Sequence, residues 1–272
     1  MGSRGKSPAA DRDRDHAFVV TAFGDSPFLE ACLASLRTQR PRQGRDSEII
    51  IATSTPSLFI SRAAEGFAVP VVVNEESRNI AEDWNFALEA SGARFVTIAH
   101  HDDLYFDGFA ERSLAALAEA ADAVLCFTGY QEIDEASAPK SSKISRVKHL
   151  LEGVFLGSAK RVSGTRLRAF LSLGNPLACS SVTFDRQRLP DFAFSAEYRS
   201  NLDWDAWLRL LSQGGVFARA PERLVGRRHN PLTETSRLIR EGVRQSEDLA
   251  LFRRLWPKPF AELIAQGYRA GY

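Results

Sequence analysis

Hydrophobic positions along the chain alternate between short β-type runs and stripes with helical spacing. Uninterrupted apolar runs rich in β-branched residues are typical of strands buried on both faces, and stripes with apolar residues three or four apart are typical of helices. The strand runs are Ala17–Ala22, Glu48–Ala52, Val69–Val73, the first half of Ala93–Tyr105, and Asp122–Thr128. The helical stripes follow Ser26-Pro27, run near Arg78–Ala90 and extend through Phe109–Ala121. Four alternations predict an α/β fold, with a Rossmann-like, mostly parallel sheet flanked by helices.

The pattern changes after Asp134. Glu135–Lys148 is polar and basic and predicts a mobile loop. Further on, the pattern predicts a helix at Thr165–Leu173, a strand at Ser180–Phe184, a helix at Asn201–Leu211 capped by Asn201, and two short strands at Val216–Arg219 and Arg223–Arg228. Glu234–Tyr272 is mostly helical and interrupted at Pro257 and Pro259. We therefore expect a disordered leader (1–15), one main domain (16–236) and a C-terminal helical extension packed on it (237–272).

Composition narrows the class of protein. The chain has 272 residues, 44% of them hydrophobic and 25% charged, which is ordinary for a globular domain. A net charge of +1 argues against a nucleic-acid partner held by the charge of the whole molecule. The sequence contains no run of 18 apolar residues, so no membrane-spanning helix is expected. It also lacks an apolar secretory signal at its N-terminus, which predicts a cytoplasmic location. Three cysteines without CxxC spacing indicate buried thiols: Cys32, Cys126 and Cys179.

Three separated features carry candidate chemistry. Asp102 and Asp103 follow a buried strand, at the edge where open α/β sheets bind ligands, and two carboxylates suit a divalent cation. Asp203 stands in the first turn of a helix, where it could accept a proton, and His229 follows a late strand. Each also has a purely structural interpretation. An acidic pair can simply cap a helix or face water. A carboxylate such as Asp203 in the first turn of a helix is stabilised by the helix dipole, and a lone histidine such as His229 is often only a hydrogen-bonded structural residue.

Four stretches together resemble the inverting family 2 glycosyltransferases of the glycosyltransferase-A fold: Val19–Gln39, Glu48–Ser57, Ser77–Tyr105 and Asn201–His229. The resemblance implies a metal-dependent, inverting transfer of a sugar from a nucleotide-diphosphate sugar to a hydroxyl acceptor. It also implies a role in surface polysaccharide or glycoconjugate synthesis. The acceptor is expected to be a saccharide or a lipid-linked molecule.

The same resemblance implies roles for individual residues. Asp203 would be the general base, Asp102 would touch the ribose, and Asp103 would ligate Mn²⁺ or Mg²⁺, with His229 completing the metal or diphosphate site. Thr21, Ala22 and Phe23 would hold the nucleotide. Thr53 and Ser54 replace an acidic pair usual in the family, which leaves the preferred base open. Further basic residues are candidate contacts to phosphate or acceptor: Arg78, Lys140, Lys143, Arg146 and Lys148.

Other functions remain open at this point. A sugar nucleotidyltransferase would have a glycine-rich, basic phosphate loop, and Phe23–Pro27 has one glycine and no basic residue. A non-catalytic nucleotide-sugar-binding module is a second alternative, because of Thr53 and Ser54. The C-terminal apolar residues beside Arg253 and Arg254 suggest either peripheral membrane docking or a packing helix. Those apolar residues are Leu251, Phe252, Leu255, Trp256 and Phe260.

Overall fold

The computed structural model describes residues 15–40, 46–230 and 234–269, so nearly all of the predicted leader lies outside the described part. The strands are β1 (His16–Ala22), β2 (Glu48–Thr53), β3 (Val71–Val73), β4 (Phe95–His100), β5 (Leu104–Tyr105), β6 (Leu125–Ile133), β7 (Pro139–Lys140), β8 (Arg161–Val162), β9 (Val182–Asp185) and β10 (Phe217–Arg228). The helices are α1 (Leu29–Arg37), α2 (Leu58–Phe67), α3 (Ile80–Glu89), α4 (Phe109–Glu119), α5 (Lys143–Leu156), α6 (Gly164–Leu171), α7 (Leu202–Ser212), α8 (Glu234–Arg240), α9 (Val243–Leu255) and α10 (Lys258–Arg269).

These strands form one sheet with the order β3-β2-β1-β4-β9-β6-β10-β5, to which β7 adds beside β6 and β8 beside β10. The longest ladders are parallel: β1 with β2, β1 with β4, and β6 with β10. Strand β9 lies antiparallel between β4 and β6. The predicted α/β fold with a mostly parallel, helix-flanked sheet is therefore confirmed, and the antiparallel insertion of β9 is the feature that the sequence did not reveal.

The central strands are buried on both faces, as their continuous apolar runs predict. Along β1, Phe18 and Val20 pack into one core and Val19 into the other, because successive side chains of a strand point to opposite sides. The first core lies against α1 and α2, and the second receives α3, α6, α7, α9 and α10. Trp204 and Trp207 are fully buried in the second core. All three cysteines are buried free thiols.

The prediction of a mobile loop at Glu135–Lys148 is wrong. This stretch contains β7 and the first turns of α5, where the Ser142 hydroxyl caps the helix by accepting the Ser145 amide at 3.0 Å. The buried guanidinium of Arg219 anchors the same helix, with Nη2 2.8 Å from Glu152 Oε1. The polar and basic residues are divided between β7, the turn before α5 and the first turns of α5, and their composition was mistaken for that of a loop.

Smaller boundaries also differ. One strand, β10, replaces the two predicted strands at Val216–Arg219 and Arg223–Arg228, and its register shifts where the chain passes Pro221. Helix α1 begins at Leu29 rather than at Ser26-Pro27. Asn201 precedes α7 as expected, but its side chain does not cap the helix; its Nδ2 donates to Asp248 Oδ1 at 2.9 Å. Helix α2, capped by Ser57, was not predicted.

The C-terminal helices belong to the core. Leu251 and Phe252 of α9 are fully buried, and Trp256 Nε1 donates to the Ser172 carbonyl at 2.7 Å. Membrane docking through Leu251 and Phe252 is therefore wrong, and the packing-helix interpretation is right for them. The chain breaks at Pro257 as predicted, whereas the predicted domain boundary after residue 236 falls inside α8. Among the described helices, none combines the length and the hydropathy that a bilayer crossing demands.

Candidate active site

The acidic pair lies at one edge of the sheet, in the turn between β4 and β5. Strand β4 ends at His100, and the turn is closed by a hydrogen bond from the Asp103 amide to the His100 carbonyl at 3.1 Å. His101 Nδ1 lies 2.8 Å from the carbonyl oxygen of Thr21. Because β1, β2 and β4 are parallel neighbours, their carboxyl ends meet at this edge, and the turn is held beside the end of β1.

Asp103 is a buried carboxylate with incomplete pairing. Asp103 is only 2% exposed, and its Oδ1 accepts a hydrogen bond from the Arg228 amide at 2.9 Å. Within the described residues Oδ2 has no hydrogen bond of good geometry. Burial, followed by the negative charge of Asp102, raises the pKa of Asp103 to about 7, although Ser180, the Arg228 amide and Arg227 oppose the rise. The positive charge of Arg227 therefore offsets only part of the cost of burying the Asp103 carboxylate.

The residues around Asp103 fit a divalent cation. One ligand atom from each of His100, Asp102 and Asp103 lies within 4.8 Å of the others. The buried Nε2 of His100 also has no hydrogen-bond partner among the described residues, and burial lowers the pKa of His100 to about 4. A neutral imidazole with two carboxylates is a donor set that suits Mn²⁺, and Mg²⁺ accepts its oxygen donors.

His229 was predicted to complete this site, but its side chain pairs with Glu132 and not with the two aspartates. Its ring Nε2 is 3.2 Å from Glu132 Oε1, and its backbone amide donates to the Ile133 carbonyl at 2.8 Å. Burial alone would raise the pKa of Glu132, but hydrogen bonds from His229 and from the Ser142 amide bring it down to about 2. The structure thus groups His100, rather than His229, with the two aspartates.

Arg228 connects the acidic turn with the segment after β6. Besides its amide contact to Asp103, its Nε donates to the Asp102 carbonyl at 2.8 Å and its Nη1 to the Asp134 carbonyl at 2.6 Å. The guanidinium lies 4.3 Å from the centre of the Phe28 ring. One side chain at the end of β10 therefore fixes both the turn that carries the acids and the beginning of the segment that leads to α5.

Asp203 lies in the first turn of α7 and is held in a defined orientation. Its Oδ2 accepts Asn175 Nδ2 at 2.8 Å, and its Oδ1 accepts the Trp204 amide at 2.9 Å. Burial raises the pKa of Asp203, while Arg244, Asn175, the Trp204 amide and Arg227 act in the opposite direction. An oriented, half-buried carboxylate whose pKa is raised is suited to accept a proton from a hydroxyl.

The two acidic centres influence the same neighbouring groups. The charges of Asp203 and Asp103 both act on the thiol of Cys179 and, after burial, raise its pKa well above the ordinary value. Arg227 lowers the pKa of both carboxyl groups. Asp103 and Asp203, 100 positions apart in the chain, are therefore both within electrostatic reach of Cys179 and of Arg227.

The residues predicted to hold the nucleotide gather at the ends of β1 and β2. The Thr21 hydroxyl donates to the Ala99 carbonyl at 3.3 Å, Ala22 is buried, and Phe23 is 66% exposed. Thr53 is buried, and its hydroxyl accepts the Thr55 amide at 3.0 Å. The Arg78 side chain is exposed in the segment just before α3, where its backbone amide donates to Glu82 Oε2 at 2.7 Å.

A carboxylate stands at the end of β2 although Thr53 and Ser54 carry none. The Ser54 hydroxyl donates to Asp83 Oδ2 at 2.9 Å, and Asn74 Nδ2 donates to Asp83 Oδ1 at 3.2 Å. Asp83 comes from α3 and not from the strand. The departure in sequence is thus accompanied by an acidic group from a neighbouring element.

Several residues near the acids were not singled out from the sequence. Arg227 was visible in the Arg-Arg-His run at the end of β10, but nothing marked its side chain as the one that faces both acids. Asn175 and Arg244 carry no local signal, since each reaches the site from a separate element. His100 was seen beside the acids and left without a role. A histidine adjoining an acidic pair is the signal that could have identified it.

Comparison with known proteins bears on the family and the fold. The sequence model of the family described as Glycosyl transferase family 2 matches residues 17–179. No curated protein sequence matches the chain significantly.

Solved structures with the same fold include three that carry ligands. Staphylococcus aureus TarS 1–349 in complex with UDP-GlcNAc is 12% identical, with a TM-score of 0.62 over 92% of this chain and 70% of that chain. The mannosyltransferase PcManGT from Pyrobaculum calidifontis, in complex with GDP-Man and Mn²⁺, is 17% identical, with a TM-score of 0.60 over 94% and 69%. Glucosyl-3-phosphoglycerate synthase from Mycobacterium tuberculosis, in complex with phosphoglyceric acid, is 16% identical, with a TM-score of 0.56 over 81% and 74%.

Proposed function

Since the chain belongs to glycosyltransferase family 2, we propose that it is a metal-dependent, inverting glycosyltransferase of surface polysaccharide or glycoconjugate synthesis. It moves a sugar from a nucleotide-diphosphate sugar to a hydroxyl of a saccharide or lipid-linked acceptor. The observation that carries the proposal is the convergence of Asp103 and Asp203 on Cys179 and Arg227. A cytoplasmic location remains part of the proposal.

In the proposed reaction Asp203 removes the proton of the acceptor hydroxyl. Asn175 and the Trp204 amide occupy one position on each carboxylate oxygen and fix the direction in which the remaining lone pairs point. The hydroxyl oxygen then attacks the anomeric carbon from the side opposite the diphosphate, which inverts the configuration. Because burial raises the pKa of Asp203, its carboxylate binds the transferred proton more firmly than an exposed one would.

A divalent cation would be held by Asp103, Asp102 and His100. When bound, it supplies positive charge that stabilises the negative charge developing on the leaving diphosphate. The incomplete pairing of Asp103 Oδ2 and His100 Nε2 supports this assignment. The His229 ring, oriented by Glu132, is proposed to contact the diphosphate side of the same site, with Asp102 close to the ribose.

The donor is proposed to lie across the ends of β1 and β2. Thr21, Ala22, Phe23, Thr53 and Ser54 line this edge, and the exposed ring of Phe23 offers a face for stacking. Relatives of the same fold have been crystallised with UDP-GlcNAc and with GDP-Man, so both pyrimidine and purine donors need to be tested. Arg78 is proposed only as a contact to an extended donor, because it lies outside this group.

Thermal unfolding with a panel of nucleotide-sugars, with and without Mn²⁺, tests the proposal. A donor at about 100 times its Kd stabilises the folded state by about 2.7 kcal/mol. We expect one nucleotide-sugar to raise the Tm in the presence of Mn²⁺, and Asp103→Ala to remove the metal-dependent part of this rise. The absence of a shift with every donor would contradict the proposal.

Turnover is tested separately. Slow hydrolysis of the stabilising nucleotide-sugar, measured by release of the nucleoside diphosphate, distinguishes an enzyme from a non-catalytic binding module. We expect hydrolysis to require Mn²⁺ and an intact Asp203. Binding without any detectable hydrolysis or transfer would favour the binding module.

A further inference from the structure

Three basic side chains from separate elements approach Asp203: Lys148 of α5, Arg227 of β10 and Arg244 of α9. We call them the cationic cluster. Arg227 and Arg244 both lower the pKa of Asp203, and both also lower the pKa of Lys148. The proposed chemistry needs a single base at this point, and that base alone does not account for Lys148 and Arg227.

Contacts place the cluster at the beginning of α7. The Lys148 ammonium lies 5.9 Å from the centre of the Tyr268 ring, and that ring packs against Gly174, the residue before Asn175. Arg244 Nη1 donates to the Ser200 hydroxyl at 3.1 Å, two residues before α7 begins. The cluster thus adjoins the same segment that carries Asp203 and its hydrogen-bond partner Asn175.

Two of the three members of the cluster have no direct anionic partner among the described residues. Lys148 and Arg227 form no hydrogen bond or ion pair within the described residues, while nearby Glu132 already pairs with His229. Burial, followed by Arg227 and Arg244, lowers the pKa of Lys148 to about 7 despite the opposing charges of Asp203 and Glu132. A bound anion would supply the missing negative charge.

The contacts of Lys148 and Arg244 lie beside the segments that hold Asp203. The Tyr268 ring that Lys148 contacts packs against Gly174, next to the Asn175 that donates to Asp203, and Arg244 contacts Ser200 just before α7. Neither of these contacts involves the acidic turn after β4. Lys148 and Arg244 therefore form the part of the cluster beside the base, where the acceptor hydroxyl is proposed to lie, and Arg227 acts on the pKa of both Asp103 and Asp203.

We propose that the cationic cluster binds an anionic group of the acceptor, a phosphate or a carboxylate close to the hydroxyl that receives the sugar. This inference rests on the proposed function, because it takes Asp203 as the base that contacts the acceptor. It names the class of acceptor, namely an acidic one, which neither the fold nor the family membership specifies. Lys148 is assigned to the anionic group alone, and Arg227 lies between that group and the leaving diphosphate.

Calorimetric titration with three small probes tests the proposal. Glycerol 3-phosphate, glycerate and glycerol share the glycerol hydroxyls and differ in carrying a phosphate, a carboxylate or no charge. The protein is first saturated with Mn²⁺ and with the nucleoside diphosphate of the donor that stabilises it, which occupies the donor site. We expect at least one anionic probe to bind at least tenfold more tightly than glycerol, and the better of the two to identify the anion as phosphate or carboxylate.

Variants of Lys148 provide the decisive comparison. Lys148→Met retains the aliphatic stem and removes the charge; it should reduce affinity for the anionic probe about tenfold, leave glycerol unchanged and change nucleoside diphosphate affinity by less than twofold. Lys148→Arg should restore most of the affinity. Lys160→Met is the matched control, because Lys160 is exposed and pairs with Glu119 on α4. Should Lys148→Met fail to fold, the Arg variant and a titration of the unaltered protein in low and high NaCl replace it, since screening should weaken anion binding selectively.

The outcomes separate this inference from the proposed function. If no nucleotide-sugar stabilises the protein, the proposed function fails before the probes are used. If the donor binds but the anionic probes bind no better than glycerol, including the case in which none binds, the cluster does not recognise an anion. An anion preference that survives in Lys148→Met, or that is insensitive to salt, would equally overturn the assignment.

Discussion

The carboxylates of Asp103 and Asp203 differ in how their oxygens are paired, and the difference separates two chemical roles. Asp103 receives one backbone amide, and its second oxygen has no well-formed hydrogen bond. Asp203 has a donor on each oxygen, from Asn175 and from the Trp204 amide, and has cations nearby. A buried carboxylate with an unpaired oxygen is suited to a metal ion, and one held by two neutral donors is suited to proton transfer.

The largest expected effect comes from removing the proposed base. Asp203→Asn keeps the size of the side chain and the hydrogen bond from the Trp204 amide but no longer accepts a proton. We expect the transfer rate to fall about 10³-fold, within the usual range for loss of a general base, while the Kd for the donor changes less than about twofold. Steady-state kinetics and titration of the donor measure the two quantities. Turnover close to that of the unaltered protein would remove Asp203 as the base.

The two histidines near the acids should differ in their effect on metal binding. His100 lies within ligand distance of Asp102 and Asp103, while the His229 ring is paired with Glu132. We expect His100→Ala to weaken Mn²⁺ binding about 10- to 100-fold, comparable to the loss of other groups that support a metal site, and His229→Ala to weaken it only a few-fold. Titration of Mn²⁺ in the presence of a nucleoside diphosphate compares them. If His229→Ala weakened Mn²⁺ binding more than His100→Ala, His229 would be the metal ligand and His100 a structural residue of the core.

A smaller effect is expected from loosening the Asp203 carboxylate without removing it. Asn175→Ala deletes the donor to Oδ2 and leaves the Trp204 amide in place. Because a hydrogen bond to a charged group contributes about 1.5 to 3 kcal/mol, kcat should fall about 10-fold or somewhat more. Donor affinity should be unchanged, since Asn175 lies on the acceptor side. A variant with normal kcat would show that the α7 backbone alone orients the base.

The smallest effect on activity should come from His16, at the opposite end of β1 from the site. His16 is buried, its ring nitrogens lie 2.8 Å from Ser47 Oγ and 3.0 Å from Thr97 Oγ1, and burial lowers its pKa from 6.5 to about 3. Because the pKa of His16 is lower in the folded state, the unfolding free energy of the protein falls as the pH drops below 6.5, the pKa of the unfolded state. The fall continues until the pH reaches the folded-state pKa. Between pH 6.5 and 5 this contribution is about 2 kcal/mol.

Comparison of the unaltered protein with His16→Gln isolates that contribution. We expect the unaltered protein to lose about 2 kcal/mol more unfolding free energy than the variant between pH 6.5 and 5, measured by urea denaturation. Nucleoside diphosphate binding at pH 7 should be the same in both. An identical pH dependence of stability in the two proteins would show that the His16 ring is protonated as easily in the folded state as in the unfolded one.

The sequence was informative where a structural feature and its signal are close in the chain. The run Phe95–His100 is a buried strand, and Asp102 and Asp103 follow it directly. An apolar run and the acidic pair next to it were therefore enough to predict the strand and the candidate metal site. From β1 to α4 the fold follows the predicted alternation, with the addition of α2 and the short strand β5. Asp203 was predicted from its place at a helix start and from the resemblance of the segment around it.

The remainder of the site depends on contacts between distant segments. The Arg228 amide that binds Asp103 is 125 residues away, and the donor to Asp203 is 28 residues before it. No periodicity encodes such a pairing. Lys148 was noticed as a basic residue but was assigned to a loop, because the polar and basic stretch before and at the start of α5 resembles a loop in composition. Its direction towards Asp203 follows only from the helix and from the anchoring of that helix by Arg219.

The attachment of Asp103 to the Arg228 amide has a consequence for synthesis of the protein on the ribosome. The strands that surround the acidic turn, β1, β2 and β4, emerge early, but the strand that positions the acid is the last of the described sheet to be translated. A nascent chain that ends before β10 therefore contains both aspartates without the amide that orients one of them. We therefore expect the cation site to reach its final geometry only late in translation, when most of the sheet is already outside the exit tunnel.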